Sequence, residues 1–234
     1  MQIQISLDTF DDSTYEVLRG VPGGFTKVRD HILALKEAGF SRIAVGSVLT
    51  KDNLEELVRL QQFCLENGLT YRVTAFQFEG FGSSQRHLRS PYRDAQFLSR
   101  LDETVEQLKK FPTNNTHRYL DLMGQYYRQD KFHPFNCAVG YYKVFILPNG
   151  DVSLCNIMHK DAIIGTVKEG ALKGTWTGQR ARDIRRRIKQ KRCPSCWLSC
   201  FAEDNLRFTP FEMLKNAGYF FKKALRYLVK LRRD

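Results

Sequence analysis

"SRIAVGSVLTKDNLEELVRLQQFCLENGLTYRVTAFQFEG", residues 41–80, is the stretch whose reading decides the fold. It opens with the β-branched, apolar run Ser41 to Thr50, which reads as a strand. A helix follows, with Asp52 read as its N-cap, Leu57, Leu60 and Cys64 on one face, and Gly68 as its stop. "TYRVTAFQFEG" then reads as a second strand. Strand, helix and strand at these lengths require parallel pairing through a right-handed crossover. The preceding residues repeat the pattern. "IQISLD" (3–8) reads as a strand, and "GGFTKVRDHILALKEAGF" (23–40) carries Phe25, Val28, Ile32, Leu35 and Ala38 at helical spacing before the stop at Gly39. Residues 1–80 therefore spell β-α-β-α-β, the rhythm of an α/β parallel sheet. A parallel sheet wants more strands than three, or closure. The first strand starts at the chain's beginning, so its outer edge is expected to be unpaired, with further strands belonging upstream.

Residues 81–132 read as a polar helical connection, carried by "YRDAQFLSRLDETVEQLKKF" and "THRYLDLMGQYYRQ". From residue 133 to 205 a small α+β unit is expected. "YYKVFILPNGDVSLC" is a hairpin turning at Pro148-Asn149-Gly150-Asp151, "AIIGTV" a short strand and "TGQRARDIRRRIKQKR" a helix. Residues 206–234 end the chain in an amphipathic helix with Leu214, Ala217, Phe221, Leu225, Leu228 and Leu231 on one face.

The net charge is +12, concentrated in residues 180–192 and in the terminal helix. Such a field suits anionic partners, although a solvated basic face fits equally. No aromatic-studded RNA-binding motif or DNA-reading module accompanies it, so nucleic acid is not favoured. No apolar run reaches the roughly 18 residues of a membrane span, and "MQIQISLDTF" has no signal-peptide pattern. A cytoplasmic protein is expected, peripheral at a membrane surface if the terminal helix lies in the interface rather than completing a core.

In that compartment clustered cysteines bind metal or do redox work more often than they form disulfides. Cys137 and Cys155 bracket the hairpin as C-x12-G-x4-C, with Gly150 free to adopt a positive φ that folds them toward one end. Cys193, Cys196 and Cys200 form C-x2-C-x3-C within "KRCPSCWLSC". Cys64 belongs to a helix face and reads as a small core residue. Four thiolates suit a tetrahedral zinc ion or an iron–sulfur cluster, and the spacing alone leaves both open beside disulfides.

"C-x12-G-x4-C … C-x2-C-x3-C", the turn "ILPNGDVSLC" and the line "IIGTVKEGALKGTWTGQRARDIRRRI" resemble the twitch/SPASM extension that follows the barrel in many radical S-adenosylmethionine (SAM) enzymes. "ISLDTFDDSTYEVLRGVPGGFTKVRDHILALKEAG" is similar to the fourth strand and helix of that family's barrel, and "VLTKDNLEEL" to the fifth. The resemblance implies a partial (β/α) radical SAM-type barrel, then a small α+β cluster domain and a C-terminal helix. It implies one auxiliary [4Fe-4S] cluster on Cys137, Cys155, Cys193 and Cys196, with Cys200 an alternative ligand or a spare thiol. Trp197 would shield the cluster or simply pack. Ser6 and Asp8 match the position where the family contacts SAM, and Arg19 would pair with the SAM carboxylate. The C-x3-C-x2-C loop that holds the family's catalytic cluster is absent from the sequence. SAM cleavage is then expected only when a separate N-terminal barrel half is supplied; an electron donor and an anionic or lipid-linked substrate are the further partners expected. The competing expectations are a non-enzymatic iron–sulfur electron carrier or scaffold and a zinc-bound basic adaptor.

Overall fold

The computed structural model describes residues 2–80, 83–169 and 172–208, together with Leu214. Strands β1 (Ile3–Ser6), β2 (Ile43–Leu49) and β3 (Thr70–Ala75) form a parallel sheet in the order β1-β2-β3, with Ile3 opposite Ile43 and Ala44 opposite Thr70. The strand–helix alternation of the sequence is thus the fold. β1 lies at the sheet's edge, as expected.

One sheet face is apolar: Ile43, Val45, Leu49, Tyr71, Val73 and Ala75 are buried there. Helices α2 (Gly24–Glu37) and α3 (Leu54–Glu66) cover that side with Phe25, Ile32, Leu54, Leu57, Leu60 and Cys64. The alternate residues, among them Gln4, Ser6, Gly46, Arg72 and Thr74, give the opposite face a polar and partly open row. Two details differ from the sequence reading. An additional helix α1 (Asp12–Arg19) precedes α2, capped by Asp11, which accepts from the Thr14 amide at 2.7 Å, and closed by Gly20 at φ 69°. The N-cap of α3 is Asn53 rather than Asp52. Asn53 is buried and donates to the Asp8 and Val48 carbonyls, whereas exposed Asp52 pairs with Lys51. The cap falls on the residue that also ties the strand ends together.

Beyond β3 come a two-residue pair, β4 (Glu79–Gly80) with β5 (Ser83–Ser84), a 3-10 helix (Arg86–Arg93), and α4 (Ala95–Lys110), α5 (His117–Asp121) and α6 (Met123–Arg128). Their exposed faces are polar, but their inner faces are core. Tyr92, Phe97, Leu101, Leu108, Tyr119, Tyr126 and Tyr127 join the sheet's hydrophobic cluster.

Among the described residues, the outer edge of β3 carries no strand. Asn114 donates its amide to the Tyr71 carbonyl at 2.7 Å, and the Asn115 side chain accepts from Val73 N–H at 2.7 Å and donates to Val73 C=O at 2.9 Å. The hydroxyls of Tyr119 and Tyr127 accept the amides of Ala75 and Phe76 at 3.2 and 3.0 Å. Side chains here satisfy the backbone as a fourth strand would.

A second core lies in residues 139–201. It contains the antiparallel sheet β6 (Phe145–Ile146), β7 (Asp151–Ser153) and β8 (Ile163–Thr166), followed by α7 (Leu172–Thr177) and α8 (Gln179–Lys189). The hairpin turns where expected, with Gly150 at φ 91°. Helix α9 (Ser199–Phe208) joins the two units, placing Phe201 in the second core and Ala202 and Leu206 in the first. The proposed terminal amphipathic helix lies outside the described residues, apart from Leu214. Among the described residues no helix is long and apolar enough to cross a membrane.

Candidate functional site

Cys137, Cys155, Cys193 and Cys196 line one cavity of about 50 Å³ between the second core and α9. All are free thiols, so the disulfide reading does not hold. Phe132, Phe135, Val139, Ile157, Ile188 and Phe201 form much of the remaining wall. Cys200, by contrast, is exposed and lies off the lining. Cys64 sits in the other core, where burial pushes its thiol to about 12.

Local structure explains the convergence. The tight hairpin returns the chain so that Cys155 leaves β7 beside the Cys137 loop, with Ser153 Oγ accepting the Cys155 amide at 3.3 Å. After α8 the chain reverses at Lys191, whose φ of 56° is the left-handed form. Ile184 and Ile188 bury the apolar stripe of α8, and the reversal then delivers Cys193 and Cys196 to the cavity. This loop is stapled to the C-terminal end of β3. Gln77 donates to the Ser195 carbonyl at 2.6 Å and accepts from the Trp197 amide at 3.3 Å. Ser195 Oγ accepts from Phe132 N–H at 2.8 Å, and Ser199 donates its amide to Thr74 Oγ1 at 2.9 Å.

Trp197 does not border the cavity. Fully buried, it turns into the first core, stacks on Tyr119 at 5.1 Å and donates its indole N–H to the Tyr119 carbonyl at 3.2 Å. The packing reading of Trp197 holds; the aromatic walls of the cavity are phenylalanines instead.

Burial is the first cause that pushes every lining thiol up. Cys193 reaches about 12, Cys196 stands well above the ordinary thiol, and the nearby Cys137 and Cys155 raise both further. As thiols the four stay neutral; ionised together in this apolar wall, they would need a cationic centre among them. The space would hold roughly three to five water molecules, more than one ion requires. Donor chemistry and size thus fit a group several atoms across.

His133 and Asn205 also line the cavity and carry no spacing signal in the sequence. Burial, then Lys191 and Lys131, hold His133 below its usual value. The other candidate positions lie at the sheet's end. Asp8 is buried, its carboxylate taken by Arg19 and by the Val48 amide at 2.7 Å. Arg19 Nε donates to Asp8 at 2.9 Å. Ser6 is exposed opposite Gly46.

A thiol-lined unit is thus fixed to the strand ends of a parallel α/β sheet. Residues 137–201 match the SPASM family, an iron-sulfur cluster-binding domain. The chain is 26% identical over 200 residues to mycofactocin maturase MftC of Mycobacterium tuberculosis (strain CDC 1551 / Oshkosh), which covers 84% of this chain and 50% of that protein. The Mycolicibacterium smegmatis MftC is 24% identical over the same shares. In fold the chain is similar to Streptococcus suis SuiB, solved bound to precursor peptide SuiA, with TM-score 0.52 and 20% identity over 78% of this chain and 43% of that one. The chain spans about half the length of the curated relatives it matches.

Proposed function

We propose that this chain forms the C-terminal part of a radical SAM maturase and holds one auxiliary [4Fe-4S] cluster on Cys137, Cys155, Cys193 and Cys196. The observation that carries the reading is the convergence of these four thiols on one apolar cavity stapled to the end of β3. Cys200, off the lining, is a spare thiol in this proposal. Residues 133–205 act as the cluster domain and residues 1–80 as the barrel portion, with 81–132 and 206–234 flanking them. Bound, the cluster supplies one-electron transfer. The protein's own part is to orient the thiolates and exclude water with Phe132, Phe135 and Phe201.

Ser6, Asp8 and Arg19 form the SAM-facing rim in this reading. Asp8 and Arg19 spend their charges on each other, so their part is to fix the strand end, and Ser6 is left to touch the cofactor. SAM cleavage requires a C-x3-C-x2-C loop supplied by another segment or chain, since these 234 residues contain none. The substrate class is a precursor peptide, as the names of MftC and SuiB's bound partner suggest. An electron donor docks on the basic face of α8, where residues 179–192 carry eight Lys and Arg against one Asp.

Anaerobic reconstitution with iron and sulfide tests the proposal. Four iron and four acid-labile sulfide per chain are expected. Stoichiometric zinc without sulfide would establish the zinc adaptor instead. Mixed with reductant and SAM, the chain alone should release no deoxyadenosine; release would contradict the need for a second segment.

A further inference from the structure

We propose that Asn205 positions Cys137 and raises the reduction potential of the cluster by donating an N–H···S hydrogen bond to the Cys137 sulfur. The inference rests on the cluster reading above. Asn205 lies on α9, fully buried, with its amide reaching the cavity.

Its neighbours fix which way the amide points. Ala138 N–H approaches one end at 2.6 Å, and a backbone N–H requires an acceptor there, so that atom is Oδ1. The Phe201 carbonyl lies 2.8 Å from the other end and requires a donor, so that atom is Nδ2. Nδ2 carries a second hydrogen, and Cys137 Sγ lies 3.6 Å away, a separation suited to sulfur's larger radius. One side chain thus grips the backbone that follows Cys137 and the sulfur itself. That double hold defines where the thiolate points before any cluster is present.

Its electronic consequence has a definite sign. Reduction adds negative charge that spreads onto the cluster's thiolate sulfurs. A donor aimed at one of those sulfurs stabilises the reduced form more than the oxidised form, and so lifts the potential. The surrounding apolar wall strengthens the effect, because little solvent screens it.

The test compares the reconstituted full chain with N205D, N205S and T166A. N205D keeps an acceptor for Ala138 N–H but turns a carboxylate oxygen toward the sulfur. N205S shortens the side chain so that its hydroxyl falls short of the sulfur, with no added charge. T166A deletes the hydroxyl that donates to the Gly150 carbonyl at 2.9 Å, a hairpin contact outside the cavity lining. Iron and sulfide content is measured first, then the midpoint potential by redox titration followed by electron paramagnetic resonance. The expected result is a full cluster in each protein, a lower potential in N205S, a still lower one in N205D, and the wild-type value in T166A. An unchanged or raised potential in the Asn205 variants overturns the proposal, as does an equal fall in T166A. If N205D does not fold by circular dichroism, N205S against T166A decides alone. Absence of a cluster in the wild-type chain overturns the underlying reading, a result distinct from a cluster whose potential ignores Asn205.

Discussion

Replacing Trp197 with Phe separates a packing tryptophan from a cluster shield. The substitution keeps a ring against Tyr119 but deletes the indole N–H that bonds the Tyr119 carbonyl at 3.2 Å. That carbonyl belongs to α5 and is left buried without this partner, a loss of roughly 1–3 kcal/mol. Two carbon atoms also vanish with the indole nitrogen from a fully buried site, worth about 1 kcal/mol more. The sum, roughly 2–4 kcal/mol, corresponds to a fall in Tm of roughly 4–16 °C for a domain of this size. Thermal melts by circular dichroism of reconstituted protein read that loss. Iron content, midpoint potential and the rate of bleaching in air should stay at wild-type values, because Trp197 backs Phe132 and Phe135 without itself lining the cavity, and phenylalanine keeps a ring behind them. A variant that melts normally yet loses its cluster faster in air would refute the reasoning and put Trp197 back in the cluster's shell.

Cys193→Ala and Cys196→Ala should each abolish the reconstituted cluster by iron and sulfide analysis, whereas Cys200→Ala and Cys64→Ala should retain it, the latter costing about 1 kcal/mol of packing in urea melts. Asp8→Ala frees Arg19 and strands the Val48 amide, so it should lower stability by roughly 1–3 kcal/mol in urea while sparing cluster content. Glu203 is buried, accepting the Thr116 amide at 2.8 Å with Arg207 3.6 Å away; burial is the first cause that raises its carboxyl, and Arg207 and Thr116 oppose it. Its folded value therefore lies above the unfolded 4.5, the folded state holds the extra proton between the two, and stability should fall as pH rises through that window. Glu203→Gln should remove that slope, up to about 1.4 kcal/mol per pH unit, in urea titrations across the window; an identical slope in the variant would exclude Glu203 as its source.

The parallel sheet was legible because β2, α3 and β3 follow one another with clean apolar periods. Helix α1 escaped notice for want of an apolar stripe: it buries no residue, and only the Asp11–Thr14 cap and Gly20 mark it. Helices α5 and α6 look polar along the chain because much of what they bury is tyrosine (Tyr119, Tyr126 and Tyr127), a residue whose hydroxyl disguises a core position until its partner, such as the Phe76 amide, is in view. The thiols of the site could be read from their spacing, since a hairpin and a short loop fix them locally. Asn205 could not, because its contact with Cys137 spans 68 positions and leaves no local pattern. Trp197 did leave a clue. In an extended loop neighbouring side chains point to opposite sides, so a Cys196 aimed into the cavity sends Trp197 the other way.

The side chains that seal β3 also limit how far this parallel sheet can be extended. A fibre grows only when each unit offers two open edges, one to receive and one to pass on. Here the β3 edge is already taken by Asn114, Asn115, Tyr119 and Tyr127. Two molecules joining through β1 would bury both open edges at once and leave sealed ones outside. Through its strand edges the sheet behaves as a unit with a single functional group, able to couple once at β1 and closed at β3.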